Sequence, residues 1–133
     1  MTISTSTLGR DVKVMGLVGA AHWASHFFQL VLPALFLFVR DEFQVSFAAL
    51  GLLTTLLYGS SGFAQTAAGF LVDRFGARRI LLSGLTVASL ATLGFGLVQS
   101  YWMLLPLSVL AGLGNSVFHP ADLAILTSKV SSH

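Results

Sequence analysis

The sequence of 133 residues contains no cysteine and few charged residues. Without cysteine, the chain can form neither disulfides nor thiolate metal sites. Charged residues make up 9% of the chain, whereas soluble domains carry about 25%. Hydrophobic residues make up 55%, and the mean hydropathy is +0.85. This composition excludes an ordinary soluble domain and indicates an integral membrane protein.

The sequence also lacks the motifs of several functional classes. It has no nucleophile elbow, no phosphate-binding loop and no trio of metal ligands, so we expect neither an enzyme nor a cofactor. The net charge of +2 is small, and no basic face with interleaved aromatic residues indicates nucleic-acid binding. The chain is therefore expected to act within the membrane.

Four apolar runs are long enough to cross a bilayer, which takes about 20 residues each. They extend approximately over residues 14–39, 47–70, 80–98 and 102–126. The links between them are short, which makes consecutive helices antiparallel neighbours. We therefore predict an all-α polytopic membrane protein, with an N-terminal arm at 1–13, a membrane domain at 14–128 and a C-terminal end at 129–133.

The lysine and arginine residues predict the orientation of these helices. Arg10 and Lys13 precede the first span, three arginines lie in the second link and Lys129 follows the last span. The opposite side has Arg40, accompanied by two acids. Because Lys and Arg are enriched in cytoplasmic loops, we expect both ends of the chain and the second link to face the cytoplasm.

Polar side chains inside the spans are costly in lipid and are therefore expected to face protein or water. Spacings of three or four residues place them on one face of each helix. We predict that eight of them line a pathway for substrate or protons: His22, His26, Gln29, Tyr58, Gln65, Asn115, His119 and Asp122.

His22 and His26 lie four residues apart, near the middle of the first span. Because histidine changes charge near neutral pH, the pair is expected to bind substrate, carry protons or both. The alternative is that each is a neutral histidine satisfied by a neighbouring helix. Their spacing would also suit a metal, but no third ligand is near in sequence, so we expect no metal site.

Pro120 is expected to kink or break the fourth span, because proline removes a backbone donor from the helix. His119 and Asp122 lie three residues apart, so they can touch and form a proton-accepting unit with coupled titration. Asp122 also lies close to the cytoplasmic end of the span. The alternative is therefore that it is a structural partner for Arg78 or Arg79.

The most distinctive stretch is the link from residue 69 to 79, Gly-Phe-Leu-Val-Asp-Arg-Phe-Gly-Ala-Arg-Arg. Gly69 allows close helix approach, and Gly76 can take a positive φ that reverses the chain. The stretch resembles the loop signature of the major facilitator superfamily of secondary transporters. That signature runs glycine, any, leucine, small, acid, base, any, glycine and then basic residues; Val72 and Ala77 depart from it.

The resemblance implies that this link gates transport through Gly69, Asp73, Arg74, Gly76, Arg78 and Arg79. In the superfamily, an acid at the place of Asp73 meets the N-terminal end of a helix from the other half of the transporter and latches one access state. The alternative for the three arginines is that they only anchor the topology. The departures at Val72 and Ala77 predict a weaker latch than the family average.

Two further stretches narrow the resemblance to the fosmidomycin-resistance branch of the superfamily. They are Ser-His-Phe-Phe-Gln-Leu at 25–30 and Gly-Asn-Ser-Val-Phe-His-Pro-Ala-Asp at 114–122. The branch is associated with proton-coupled export of drugs. The resemblance therefore implies efflux of drugs or small metabolites in exchange for protons, across a bacterial cytoplasmic (inner) membrane.

Transporters of this kind have twelve spans, in two halves built from inverted three-helix repeats. The four predicted spans correspond to one repeat and the first helix of the next, so the chain is expected to be an N-terminal fragment. The first and fourth spans would be symmetry mates facing each other across a cavity. Expected partners are a small-molecule substrate, protons, lipid, and the missing C-terminal half or a second copy. The alternative is a fragment that transports nothing and acts as a helix-packing or interaction module.

Overall fold

The computed structural model describes residues 5–130, with their side chains from residue 8 onwards. The described chain forms six helices: α1 (Thr5–Ala34), α2 (Phe36–Phe43), α3 (Phe47–Phe75), α4 (Ala77–Phe95), α5 (Tyr101–Asn115) and α6 (Phe118–Lys129). No strand occurs within the described range. The predicted all-α fold is confirmed. The outermost residues of the predicted N-terminal arm and C-terminal end, 1–4 and 131–133, lie outside the described residues.

Three segments are long and apolar enough to cross a membrane, judged by length and composition. They are Leu8–Phe43, Phe47–Phe75 and Tyr101–Lys129, and they contain the first, second and fourth predicted spans. Most of the third predicted span lies on α4, a helix of 19 residues that carries Arg78 and Arg79 in its first turn. A membrane crossing by α4 stays a prediction.

The first of these segments contains a one-residue interruption between α1 and α2. At Leu35 the backbone N–H is shared between the carbonyls of Val31, at 3.2 Å, and Leu32, at 3.1 Å. A donor shared in this way is typical of a local tightening of the helix near its end. α1 also begins at Thr5, so most of the predicted polar arm is helical.

α5 packs between α3 and α4, and two apolar clusters hold these helices together. The first cluster lies towards the α4–α5 turn and includes Leu53, Phe95 and Leu104. The second lies towards the α3–α4 junction and includes Val72 and Phe118. The described core thus has one apolar cluster near each end of the helical bundle.

Hydrogen bonds from polar side chains join α3 to α5 along their length. The Tyr101 hydroxyl donates to the carbonyl of Ala49 at 2.9 Å. The Asn115 amide donates to the Ser61 hydroxyl at 3.0 Å, in a buried contact. Such bonds are favourable within a membrane because the same groups would have no water as a partner in lipid. They fix the position of α5 and of the α6 helix that follows it.

Pro120 breaks the fourth predicted span, as the sequence predicts. α5 ends at Asn115 and α6 begins at Phe118, so Ser116 and Val117 separate the two helices. Proline at position 120 has no N–H to donate to the carbonyl four residues earlier, which is that of Ser116. The regular helical bonds resume with the Ala121 N–H, which donates to the Val117 carbonyl at 3.0 Å.

The charged link is much shorter than the sequence predicts. α3 continues to Phe75 and α4 begins at Ala77, so Gly76 is the one residue between the two helices. Its φ of 90° and ψ of 136° confirm the predicted positive φ. The other residues of the link belong to the last turns of α3 or to the first turn of α4. The reversal of the chain is therefore concentrated in one backbone position.

A Gly76→Ala substitution is expected to lower the free energy of unfolding by about 1–3 kcal/mol, because a side chain strains a backbone at positive φ. A Cβ at Gly76 would meet nothing within 4 Å, so the cost is conformational and not steric. Gly51→Ala, at a helical position with equal open space, is the matched control. Unfolding in detergent measures both. Equal stabilities for the two variants would contradict the prediction.

Candidate functional site

Three histidines and one aspartate meet where α1 contacts α6. We call His22, His26, His119 and Asp122 the histidine cluster. His22 Nδ1 lies 2.8 Å from Asp122 Oδ2, and His22 Nε2 lies 3.1 Å from His26 Nε2. The centroid of the His119 ring lies 5.3 Å from that of His22. His22 therefore contacts the three other members of the cluster.

The local sequence explains how these side chains converge. His22 and His26 are four residues apart on α1, a spacing that places both on one face of the helix. The buried hydroxyl of Ser25 donates to the His22 carbonyl at 2.7 Å, so it is satisfied within the same helix. His119 and Asp122 lie at the start of α6, directly after the break caused by Pro120. The broken helix brings both residues to α1.

Burial within the cluster is uneven. Asp122 is 6% exposed, and its Oδ1 has no hydrogen-bond partner among the described residues. The side chain of His22 is 37% exposed, and His26 and His119 are exposed. Burial of a carboxylate is costly unless it binds a proton or a cationic partner. The contact between Asp122 and His22 is therefore suited to holding a proton.

Both ring nitrogens of His22 are engaged, which constrains where protons can sit. When Asp122 is ionised and His22 is neutral, Nδ1 donates to the carboxylate and Nε2 accepts from the Nε2–H of His26. When His22 is protonated, its Nε2 donates instead, and His26 then carries its proton on Nδ1 so that its Nε2 accepts. A proton taken up at His26 Nδ1, with transfer of the Nε2 proton to His22, converts the first arrangement into the second without movement of α1.

A pocket lined partly by polar residues, which we call the polar pocket, adjoins the cluster between α3 and α6. Its volume is about 460 Å³, and it is lined by Gly62, Gln65, Thr66, Gly69, His119, Pro120 and Leu123. The Gln65 amide, the Thr66 hydroxyl and the His119 ring can donate and accept hydrogen bonds. His119 belongs both to this pocket and to the histidine cluster, so it connects the two.

The structure separates the remaining predicted pathway residues from the cluster. Asn115 is buried and bonds to Ser61, so it contributes to the packing of α5 on α3. Gln29 is half-buried, three residues beyond His26 on α1, and Tyr58 is exposed on α3. A role for these three residues in a pathway stays a prediction.

The partner of Asp122 differs from those that the sequence suggests. The ion pairs among the described residues are Arg10–Asp11 and His22–Asp122, so neither Arg78 nor Arg79 pairs with Asp122. His22 and Asp122 are 100 positions apart, a separation that no spacing rule connects. The signal that could have found the pair was the predicted repeat, in which the first and fourth spans are symmetry mates. The predicted cavity between these spans is wrong at this point, because His22 and Asp122 are in direct contact.

Five of the six predicted gating residues lie at the α3–α4 junction; Gly69 lies further back on α3, and no described atom of a neighbouring helix would lie within 4 Å of a Cβ there, so the predicted close helix approach does not occur among the described residues. Asp73 and Arg74 are exposed in the last turn of α3, and Arg78 and Arg79 are exposed in the first turn of α4. Asp73 forms no ion pair with any other residue that the structure describes. Within the described range, no group of three or more His, Asp or Glu residues is arranged to hold a metal ion.

Comparison with known proteins identifies the family. The family model of the Major Facilitator Superfamily matches residues 17–133, which include all six helices from the middle of α1 onwards. The chain belongs to this superfamily. The predicted family is thus confirmed, and the helical fold is part of a major facilitator fold.

The chain is also similar to several bacterial transport proteins. An uncharacterised MFS-type transporter of Bacillus subtilis is 28% identical over 107 residues, which cover 80% of this chain and 26% of the relative. The fosmidomycin resistance protein of Escherichia coli is 24% identical over 117 residues, 88% of this chain and 29% of the relative. A Na(+), Li(+), K(+)/H(+) antiporter of Planococcus maritimus is 31% identical over 126 residues, 91% and 29% respectively. The chain thus spans less than a third of the length of these relatives. No solved structure matches it.

Proposed function

We propose that this chain is the N-terminal part of a carrier that exports drugs or small metabolites in exchange for protons. The observation that carries the proposal is the 2.8 Å contact between His22 Nδ1 and Asp122 Oδ2. It joins two segments of membrane-spanning length. Ionisable residues within such segments are costly and mark ion or substrate pathways. One relative is a fosmidomycin resistance protein and another is a cation/proton antiporter, which supports proton-coupled efflux.

Exchange requires that proton binding and substrate binding weaken each other. In our proposal the histidine cluster binds the proton and the polar pocket binds the substrate. His119 lies at both sites, with its ring 5.3 Å from that of His22. A neutral imidazole offers one acceptor nitrogen, whereas a protonated imidazole offers none. A substrate that needs the acceptor of His119 would therefore be released when that ring is protonated.

The second element of the proposal is a change of access controlled by the α3–α4 junction. Asp73 is exposed and has no ion pair among the described residues, so its carboxylate is free for a contact outside the described chain. The N-terminal end of a helix carries a partial positive charge that favours such a contact. We infer that Asp73 latches the junction to a helix of the other half of the transporter. We also infer that both ends of this chain lie on the cytoplasmic side of the bacterial inner membrane.

A second candidate function is that of a membrane-embedded interaction module without transport. The apolar segment Leu8–Phe43 favours this function because it is largely uncovered. The rest of the described chain buries only 11% of its most apolar window. Exposed aromatic residues such as Trp23 and Phe27 lie on this segment. An uncovered helix of this kind can pack against a further helix or a second copy.

Efflux measurements in bacterial cells distinguish the two functions. Cells would express either this chain or a version completed to twelve spans, and drug susceptibility and efflux would be followed with and without a protonophore. We expect efflux from the completed version, and its loss when the proton gradient is collapsed. Efflux that survives the protonophore would contradict proton coupling, and no efflux from a completed, membrane-inserted version would favour the interaction module.

A further inference from the structure

A second and larger pocket lies at the end of the bundle where the α3–α4 junction meets α1 and α6. Its volume is about 700 Å³, within the range of sites that bind small molecules. Four residues of α1 line one side at helical spacing: Val14, Leu17, Val18 and Ala21. The pocket contains no member of the histidine cluster. It is therefore distinct from the proposed transport site.

The charged residues that line this pocket are all cationic. They are Arg78 and Arg79, from the first turn of α4, and Lys129, from the last turn of α6. No acidic residue is part of the lining, and none of the three cations forms an ion pair with another described residue. All three side chains are exposed. The pocket therefore favours a ligand with negative charge.

The polarity of the lining changes in the same direction on α4 and α6. On α4, Leu81 and Leu82 follow the two arginines into the bundle, and on α6 Ile125 lies one turn inward from Lys129. On α1 the lining residues from Val14 to Ala21 are apolar, a distance of roughly 10 Å along the axis at about 1.5 Å per residue. The cations thus mark one end of the pocket, and an apolar surface leads away from them towards the middle of the segments.

We propose that this pocket binds an anionic phospholipid from the membrane leaflet at that end of the bundle. The phosphate would contact Arg78, Arg79 and Lys129, and one acyl chain would lie along the apolar residues of α1, α4 and α6. Clusters of Lys and Arg at a membrane surface attract anionic headgroups. A soluble anion would use the cations but would leave the apolar lining exposed to water, which is unfavourable. The combination therefore selects an amphiphile.

Lipid titration of the purified chain tests this proposal. Phosphatidylglycerol or phosphatidylcholine with identical acyl chains would be added to the chain in neutral detergent, and bound lipid would be counted by native mass spectrometry. We expect preferential binding of phosphatidylglycerol. A double variant, Arg79→Gln with Lys129→Gln, should bind it about thirty-fold more weakly, from about 1 kcal/mol for each basic residue.

The matched control is the double variant Arg40→Gln with Arg74→Gln, which removes the same charge outside the pocket lining. We expect its affinity for phosphatidylglycerol to stay within about twofold of the unmodified chain. Because Arg79 and Lys129 are exposed, their replacement should not disturb the helix packing, which circular dichroism would verify. If the double variant fails to fold, Lys129→Gln alone should show a loss of about fivefold.

Four outcomes would overturn the proposal. Equal binding of phosphatidylcholine would show that the cations do not select the headgroup. An equal loss in the control variant would show that binding depends on net charge alone. Displacement of the lipid by millimolar inorganic phosphate would indicate a site for soluble anions. Loss of bound phosphatidylglycerol in a version completed to twelve spans would show that another helix covers the pocket.

Discussion

An Asp122→Asn substitution is expected to abolish most proton-driven export, because it removes a coupling between proton and substrate binding that is usually worth roughly 5- to 150-fold in affinity. Asparagine retains the size of the side chain and an oxygen that can accept a hydrogen bond from the Nδ1–H of His22, as Asp122 Oδ2 does at 2.8 Å. It cannot bind or release a proton. The substitution should therefore keep the contact between α1 and α6 and remove its ability to store charge.

The stability of this variant separates a functional role from a structural one. Asp122 is buried, and its Oδ1 lacks a hydrogen-bond partner among the described residues. Loss of the charge removes the cost of burying a carboxylate, so the free energy of unfolding should not fall. A drop of several kcal/mol would show instead that His22 and Asp122 form an ion pair whose main role is to hold the helices together.

The transport assay uses a version completed to twelve spans and reconstituted in proteoliposomes. Uptake driven by an imposed pH gradient reports coupled transport, and exchange of labelled for unlabelled substrate without a gradient reports substrate binding and access. We expect Asp122→Asn to lose the first and retain the second. Asp41→Asn, which removes an exposed acid of α2, is the control and should retain both. Normal gradient-driven uptake by Asp122→Asn would refute the proposed proton site.

Features with local causes could be predicted from the sequence. Pro120 has a local effect, because it cannot donate to the carbonyl of Ser116, and the helix breaks just before it; Pro106 lies within α5 without a break. The positive φ of Gly76 is equally local, because only glycine takes that conformation without strain. Apolar composition is also a local property, and it identifies the three segments of membrane-spanning length. Each of these inferences needs no knowledge of which helices are neighbours.

The helices extend beyond the predicted apolar spans because polarity does not end a helix. Asp73 and Arg74 are polar, yet they continue α3 to Phe75, since each backbone group still finds its partner within the helix. The same holds at the start of α1, which includes Arg10 and Lys13. Hydropathy marks where a segment leaves the apolar layer, whereas backbone geometry marks where the helix stops.

The candidate site could be predicted only in part, because its key contacts join distant parts of the chain. The spacing of His22 and His26 predicts their shared face, but the choice of Asp122 as a partner depends on how α1 crosses α6. Spacings of three or four residues also place Asn115 and Asp122 on one face of the fourth predicted span. In the structure Asn115 contacts α3 through Ser61, whereas Asp122 contacts α1. The spacing thus identifies the polar side chains without identifying the helix that each one meets.

The packing of α4 against α5 depends on backbones that lie unusually close together. A Cβ at Gly114 would lie 2.6 Å from the Ala88 nitrogen and 2.8 Å from the Gly84 carbonyl oxygen. Gly84 and Ala88 are four residues apart, the small-residue spacing that lets membrane helices approach closely. Because the obstructing atoms belong to the backbone of α4, they cannot move away as a flexible side chain could. A methyl group at position 114 must push the helices apart.

A Gly114→Ala substitution is therefore expected to lower the free energy of unfolding by about 1–3 kcal/mol, the usual cost of overpacking. Gly59→Ala on α3 is the control, since a Cβ there would meet nothing within 4 Å. Alanine is the better helix former by up to about 1 kcal/mol, so the control should be unchanged or slightly more stable. Titration of detergent-solubilised protein with sodium dodecyl sulfate, followed by circular dichroism, measures both. If Gly114→Ala proved as stable as the control, α4 and α5 would not pack at the distance seen here. The placement of His119 and Asp122 would then need revision, because their helix, α6, follows directly after α5.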